Sequence, residues 1–137
     1  MIIEIPDLTS EEAGDIVVTA AEGGIGYWSQ IESYDYRRWM PDINGHLGDA
    51  ISVPDDFVFY RIAALNEDED GYDRGKLYDI TPALVRRGLE IAMSKARHDL
   101  VKDVVLGCAR EDWTGEIDAD GADAIIQCGV YGEIIWG

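Results

Sequence analysis

Basic side chains are scarce in this chain: 11 Lys and Arg stand against 28 Asp and Glu, a formal net charge of -17 over 137 residues. A field of that sign repels DNA, RNA and anionic lipid, so direct nucleic-acid binding and membrane-surface attachment are not expected, while cations and basic protein surfaces are favoured. Cysteine is limited to Cys108 and Cys128, each within an apolar, helix-like pattern, which points to buried reduced thiols and not to a disulfide framework. His46 and His98 are the only histidines, and neither lies at ligand spacing from another His or from Cys. A zinc site or a Cys-His nucleophilic pair is therefore not expected. Long apolar runs are missing too: no window approaches the roughly 18 residues of a membrane span. The start, Met1-Ile2-Ile3-Glu4-Ile5-Pro6-Asp7, has neither the basic stretch nor the apolar core of a secretory signal, and a cytosolic setting is expected.

What is present suffices for an ordered core. Hydrophobic residues make up 47% of the chain and four are Trp, so disorder is not expected and residues 1–137 are read as a single compact domain. The acid excess is spread along the whole length, which argues against an acidic tail on a neutral domain.

Thr9-Ser10-Glu11-Glu12 predicts a helix start with a capping box, followed by an apolar stripe at Ala13, Ile16, Val17, Ala20 and Ala21. Gly23 and Gly24 would end that helix in left-handed backbone. A strand is expected from Tyr27 to Trp39, a loop from Met40 to Pro54, and a strand from Phe57 to Leu65 covered on both faces. An acidic hairpin loop over 66–75 leads to a short strand, Lys76 to Ile80. Thr81-Pro82 opens a second helix. Leu100, Val101, Val104, Val105 and Cys108 suggest a third helix, and Asp120 to Tyr131 a fourth, stopped by Gly132; the apolar tail Glu133-Ile134-Ile135-Trp136-Gly137 is expected as a docked strand. These elements predict the α+β class, a small antiparallel sheet of three to four strands packed by about four helices.

Chemistry-bearing patterns are few. Glu22-Gly23-Gly24-Ile25-Gly26-Tyr27-Trp28 gathers three glycines, a carboxylate and two large aromatics at a corner. It follows a helix instead of a strand and lacks the third glycine of a dinucleotide loop, so a helix cap and turn accounts for it as readily as a pocket does. Asn66, Asp68, Asp70 and Gly71, and again Glu116, Asp118, Asp120 and Gly121, match positions 1, 3, 5 and 6 of a calcium loop, but position 12 falls on Leu77 and Gln127. No metal or other cofactor is expected. Asp120, Asp123 and Gln127 share one helical face, either solvated or part of a site.

Two blocks carry a resemblance: Thr19-Ala20-Ala21-Glu22-Gly23-Gly24-Ile25-Gly26-Tyr27-Trp28, and Ala122-Asp123-Ala124-Ile125-Ile126-Gln127 with Gly132-Glu133-Ile134-Ile135-Trp136-Gly137. In these the chain resembles a family of small proteins encoded by phages of actinobacteria and other bacteria. The resemblance covers about a quarter of the chain and implies a setting, an accessory phage protein in the bacterial cytoplasm, without catalytic residues to carry over. If Glu22, Tyr27, Trp28, Asp123 and Gln127 meet in space, they outline one pocket. The leading expectation is a non-enzymatic binding protein that engages a basic, nucleic-acid-binding surface of a host protein, such as a defence nuclease or CRISPR effector. Glu67, Asp68, Glu69, Asp70 and Asp73 are the acidic-surface candidates. The alternative is a small-ligand or nucleotide-binding protein, or an enzyme, using the corner.

Overall fold

A computed structural model of the chain describes residues 8–43, 45–64, 76–94 and 117–136. Helix α1 (Ser10–Thr19) opens on the predicted capping box: Glu12 N donates to Thr9 Oγ1 at 3.2 Å, and Thr9 N donates to Glu12 Oε1 at 3.0 Å. The helix does not end in left-handed glycines. It widens into one π-helical turn, Ala20–Gly24, closed by Ile25 N donating to Ala20 O at 3.0 Å, and neither Gly23 nor Gly24 has a positive φ. The glycine requirement at 24 is one of space: a Cβ there would lie 2.8 Å from the carbonyl oxygen of Ala119.

Three strands form an antiparallel sheet in the order β1-β4-β5: β1 (Ser29–Glu32), β4 (Tyr60–Ala64) and β5 (Leu77–Ile80). The register pairs Ile31 with Ile62 and Tyr60 with Ile80. The strand expected as far as Trp39 stops at Glu32, because Ser33 turns the chain with φ 58 and Asp35 then caps a 3-10 turn, Tyr36–Arg38, by accepting from Arg37 N at 3.3 Å. The strand expected from Phe57 begins only at Tyr60, and it is covered on one side. Tyr60, Ile62 and Ala64 are buried, while Arg61 faces out and pairs with Asp79 at 2.7 Å. Within the segment expected as a loop, β2 (Asp42–Ile43) and β3 (His46–Leu47) form a two-residue ladder.

Helix α2 (Pro82–Ser94) starts where Thr81 Oγ1 accepts from Leu84 N at 3.2 Å. Helix α3 (Ala119–Tyr131) is capped by Asp118, which accepts from Gly121 N at 2.8 Å, and it ends on Gly132 in left-handed backbone with φ 76. The two helices touch through backbone. A Cβ on Gly88 would sit 2.0 Å from Ile125 O, and one on Gly129 2.6 Å from Leu84 O. Trp28, Trp39, Phe59, Tyr60, Ile125 and Ile126 are among the largest fully buried side chains, and Cys128 is buried in the same core. Residues 132–136 form no strand; side chains hold them in place, as described below. The helix expected over 100–112, the acidic loop over 66–75 and Cys108 lie outside the described residues. Helices and an antiparallel sheet make the protein α+β. Among the described residues no helix is long and apolar enough to cross a membrane.

Candidate functional site

The π turn sets the direction of the corner that follows it. Trp28 N and Ser29 N both fold back onto Ile25 O, at 3.3 and 3.1 Å, so that Tyr27 and Trp28 project toward α3 as the chain enters β1. On α3, Asp123 and Gln127 are one turn apart and face that corner. Trp28 is fully buried, and its Nε1 donates to Asp123 Oδ1 at 2.8 Å. The Tyr27 hydroxyl donates to Asp123 Oδ2 at 2.6 Å. Gln127 Nε2 lies 2.9 Å from Asp123 Oδ1 and 3.2 Å from the Tyr27 oxygen. The Trp28 ring is packed in turn against Tyr131, with centroids 5.8 Å apart.

Gln127 has no exposed surface, and its amide acts as a stand-in for a neighbouring strand. Its Oε1 accepts from Ile135 N at 2.9 Å and from Trp136 N at 2.8 Å, while Nε2 reaches Trp136 O at 3.1 Å. A single side chain thereby satisfies backbone groups of a segment that has no ladder of its own. The face expected as a solvated stripe is therefore mixed: Asp120 is exposed, Asp123 half-buried and Gln127 wholly inside.

Above this cluster lies a cleft of about 320 Å³ lined by Tyr27, Asp120, Asp123, Gln127, Ile134 and Trp136. Tyr27 is 52% exposed, and its ring forms a wall of the cleft. Partial burial, together with the hydrogen bond to the Asp123 carboxylate, pushes the Tyr27 hydroxyl up to about 12; Gln127, donating to it, acts in the opposite sense. The Tyr27 proton is committed to Asp123 throughout the neutral range.

The structure thus brings Tyr27, Trp28, Asp123 and Gln127 together and leaves Glu22 apart from them. Glu22 is exposed on the outer side of the π turn, where, after burial, its charge is the next cause raising the Tyr34 hydroxyl. Glu67, Asp68, Glu69, Asp70 and Asp73 lie outside the described residues. The cleft also takes in Asp120, Ala124, Ile134 and Trp136, which lie outside the predicted pocket. Asp120 was signalled by its spacing from Asp123, and Trp136 by a tail too apolar to be left in water. Asp118, a ligand position in the calcium-loop pattern, spends its side chain on the α3 cap. Among the described residues no group of three or more His, Cys, Asp or Glu could hold a metal ion.

Fold and site together define a small α+β protein with a buried polar cluster under an acidic, aromatic-walled cleft. Comparison with protein-family models, with curated proteins and with solved structures gives no match.

Proposed function

We propose that this chain is a single acidic domain of 137 residues that works as a non-enzymatic binding protein, engaging a basic surface of a partner protein. The observation that carries the reading is the distribution of charge. Among the described residues, twelve acidic side chains are exposed against five basic ones, and they belong to helices, turns and strands alike. An acidic field spread over a folded surface raises the encounter rate with a basic partner and competes with polyanions for it. The resemblance of the blocks Thr19–Trp28 and Ala122–Gln127 with Gly132–Gly137 to phage proteins supplies a setting, an accessory factor in the bacterial cytoplasm. The partner would then be a host protein whose basic surface normally holds nucleic acid, such as a defence nuclease or CRISPR effector.

A competition assay tests this. Labelled DNA held by such a basic effector should be released by a stoichiometric amount of the protein at roughly 0.1 M salt, and release should fade as salt approaches about 0.5 M, where surface charge is screened. Absence of release at any salt would rule the reading out for that effector class.

A small-ligand reading, with or without catalysis, draws on the same cleft. Its walls carry two carboxylates and a backbone carbonyl, a lining that opposes phosphate, so a nucleotide is the less favoured occupant.

A further inference from the structure

Resting on that reading, we propose that the Tyr27–Asp123 cleft is the seat for one guanidinium group, an arginine side chain presented by the basic partner. The inventory of hydrogen-bonding atoms supports this assignment. The donors in the cluster are the Tyr27 hydroxyl, the Trp28 Nε1–H and the two N–H bonds of the Gln127 amide. Four N–H or O–H bonds thus face four acceptor atoms, both oxygens of Asp123, the Trp136 carbonyl and the Tyr27 oxygen, and since a carboxylate or carbonyl oxygen can accept twice, accepting capacity is left over. Tyr27 has one proton, which goes to Asp123 Oδ2 at 2.6 Å and leaves Trp136 O, at 3.2 Å, to Gln127. Every donor is neutral. Among the described residues no Lys, Arg or His pairs with Asp123 or with Asp120 beside it.

Asp123 is half-buried and, among the described residues, accepts from neutral donors only. A ligand complementary to this lining brings several N–H donors and positive charge, and is flat enough to lie against aromatic rings. Guanidinium meets all three demands, with five donors in a fixed plane and a preference for stacking on Tyr and Trp. The exposed Tyr27 ring and the Trp136 side chain line the cleft, which at about 320 Å³ has room for the head group and its stem. Ammonium offers three donors and no plane. A phosphate or carboxylate would face the two carboxylates of Asp120 and Asp123.

Calorimetry with a short Gly-Ser peptide carrying one arginine, against the same peptide with neutral citrulline in its place, tests the assignment. The arginine peptide should bind, and citrulline should reduce binding at least about tenfold, since it keeps the shape and removes the charge. Asp120→Asn removes an exposed charge from the cleft without touching the buried hydrogen bonds, and should weaken the arginine peptide about three- to tenfold. Glu90→Gln, an exposed acid on α2, should leave binding unchanged. Equal binding of the two peptides, equal loss in both variants, or a lysine peptide bound as tightly as the arginine one would overturn the assignment. In the DNA-competition assay, release by wild type that Asp120→Asn leaves unaltered would remove the cleft and spare the acidic-surface reading. Failure of wild type to release DNA would instead remove that reading.

Discussion

The Tyr27 hydroxyl and Asp123 Oδ2 stand 2.6 Å apart, joining positions 96 residues distant in the chain. This contact ties the corner after α1 to the face of α3 and sets both the charge and the shape of the cleft. Its removal has separable effects on stability and on titration.

Tyr27→Phe keeps the ring and deletes the hydroxyl. The lost charge-assisted bond should lower stability by about 1–2 kcal/mol in urea denaturation, toward the lower end because the ring is half-exposed. The pH dependence has a definite sign. The folded protein holds the Tyr27 proton more tightly than the unfolded chain does, so this contribution is complete below about pH 10, the ordinary tyrosine value, and is lost as pH rises toward about 12. The gap between wild type and Tyr27→Phe should therefore narrow over that window. A gap that widened there would contradict the assigned direction.

Asp123→Asn should be tolerated by the fold better than Asp123→Ala. The asparagine oxygen can still accept from Trp28 Nε1, its amide can donate to the Tyr27 oxygen, and the Tyr27 proton can turn to Trp136 O. About 1 kcal/mol for Asn against about 3 kcal/mol for Ala is expected, because Ala leaves the buried indole N–H without its acceptor and removes the partner of the Gln127 amide. Thermal or urea unfolding of the pair measures the difference. Since the Asn form also lacks the charge, Tyr27 should titrate below its wild-type value, which absorbance near 295 nm follows.

Gln127→Ala should free the tail before it unfolds the protein. Ile135 and Trp136 amides both donate to the Gln127 oxygen, and they should lose hydrogen-exchange protection while amides in the middle of α2 keep theirs. A global cost of about 2–4 kcal/mol follows from leaving a carboxylate oxygen, a backbone carbonyl and two amides short of partners. Gln127→Glu restores the acceptor for the tail but sets a second carboxylate against Asp123, and should be no better than Ala near neutral pH.

Gly88→Ala should cost about 3 kcal/mol or more, since its Cβ would fall inside the carbonyl of Ile125 and α2 and α3 would have to separate. Gly26→Ala, where nothing lies within 4 Å of the added carbon, should stay within about 0.5 kcal/mol of wild type. Circular-dichroism melts of the two variants give the comparison directly.

Local signals in the sequence account for much of the frame. Thr9 with Glu12, Thr81 with Pro82 and the stop at Gly132 mark helix boundaries through short-range chemistry, and helical spacing alone places Asp123 beside Gln127. Where the decisive partner lies far along the chain, the local pattern does not reveal the outcome. The π turn at Ala20–Gly24 is held by packing of Gly24 against the α3 backbone at Ala119, which no local pattern reveals. The single long strand expected to reach Trp39 failed at Ser33, a residue that carries no turn signal as strong as glycine yet adopts φ 58. Glu22 stood out because charge beside glycine and aromatic residues looks functional. Its exposure follows from lying on the outer side of that turn, two positions from the buried Gly24, whose close approach to Ala119 it does not share.

Trp28 gives the cleft a reporter of its own. An indole N–H held 2.8 Å from a carboxylate and sealed from solvent should resonate downfield of exposed indoles and exchange slowly with water. Any cation that draws electron density from Asp123 should shift that one line. Occupancy of the site could then be followed by a single proton resonance, with no label added and no residue changed.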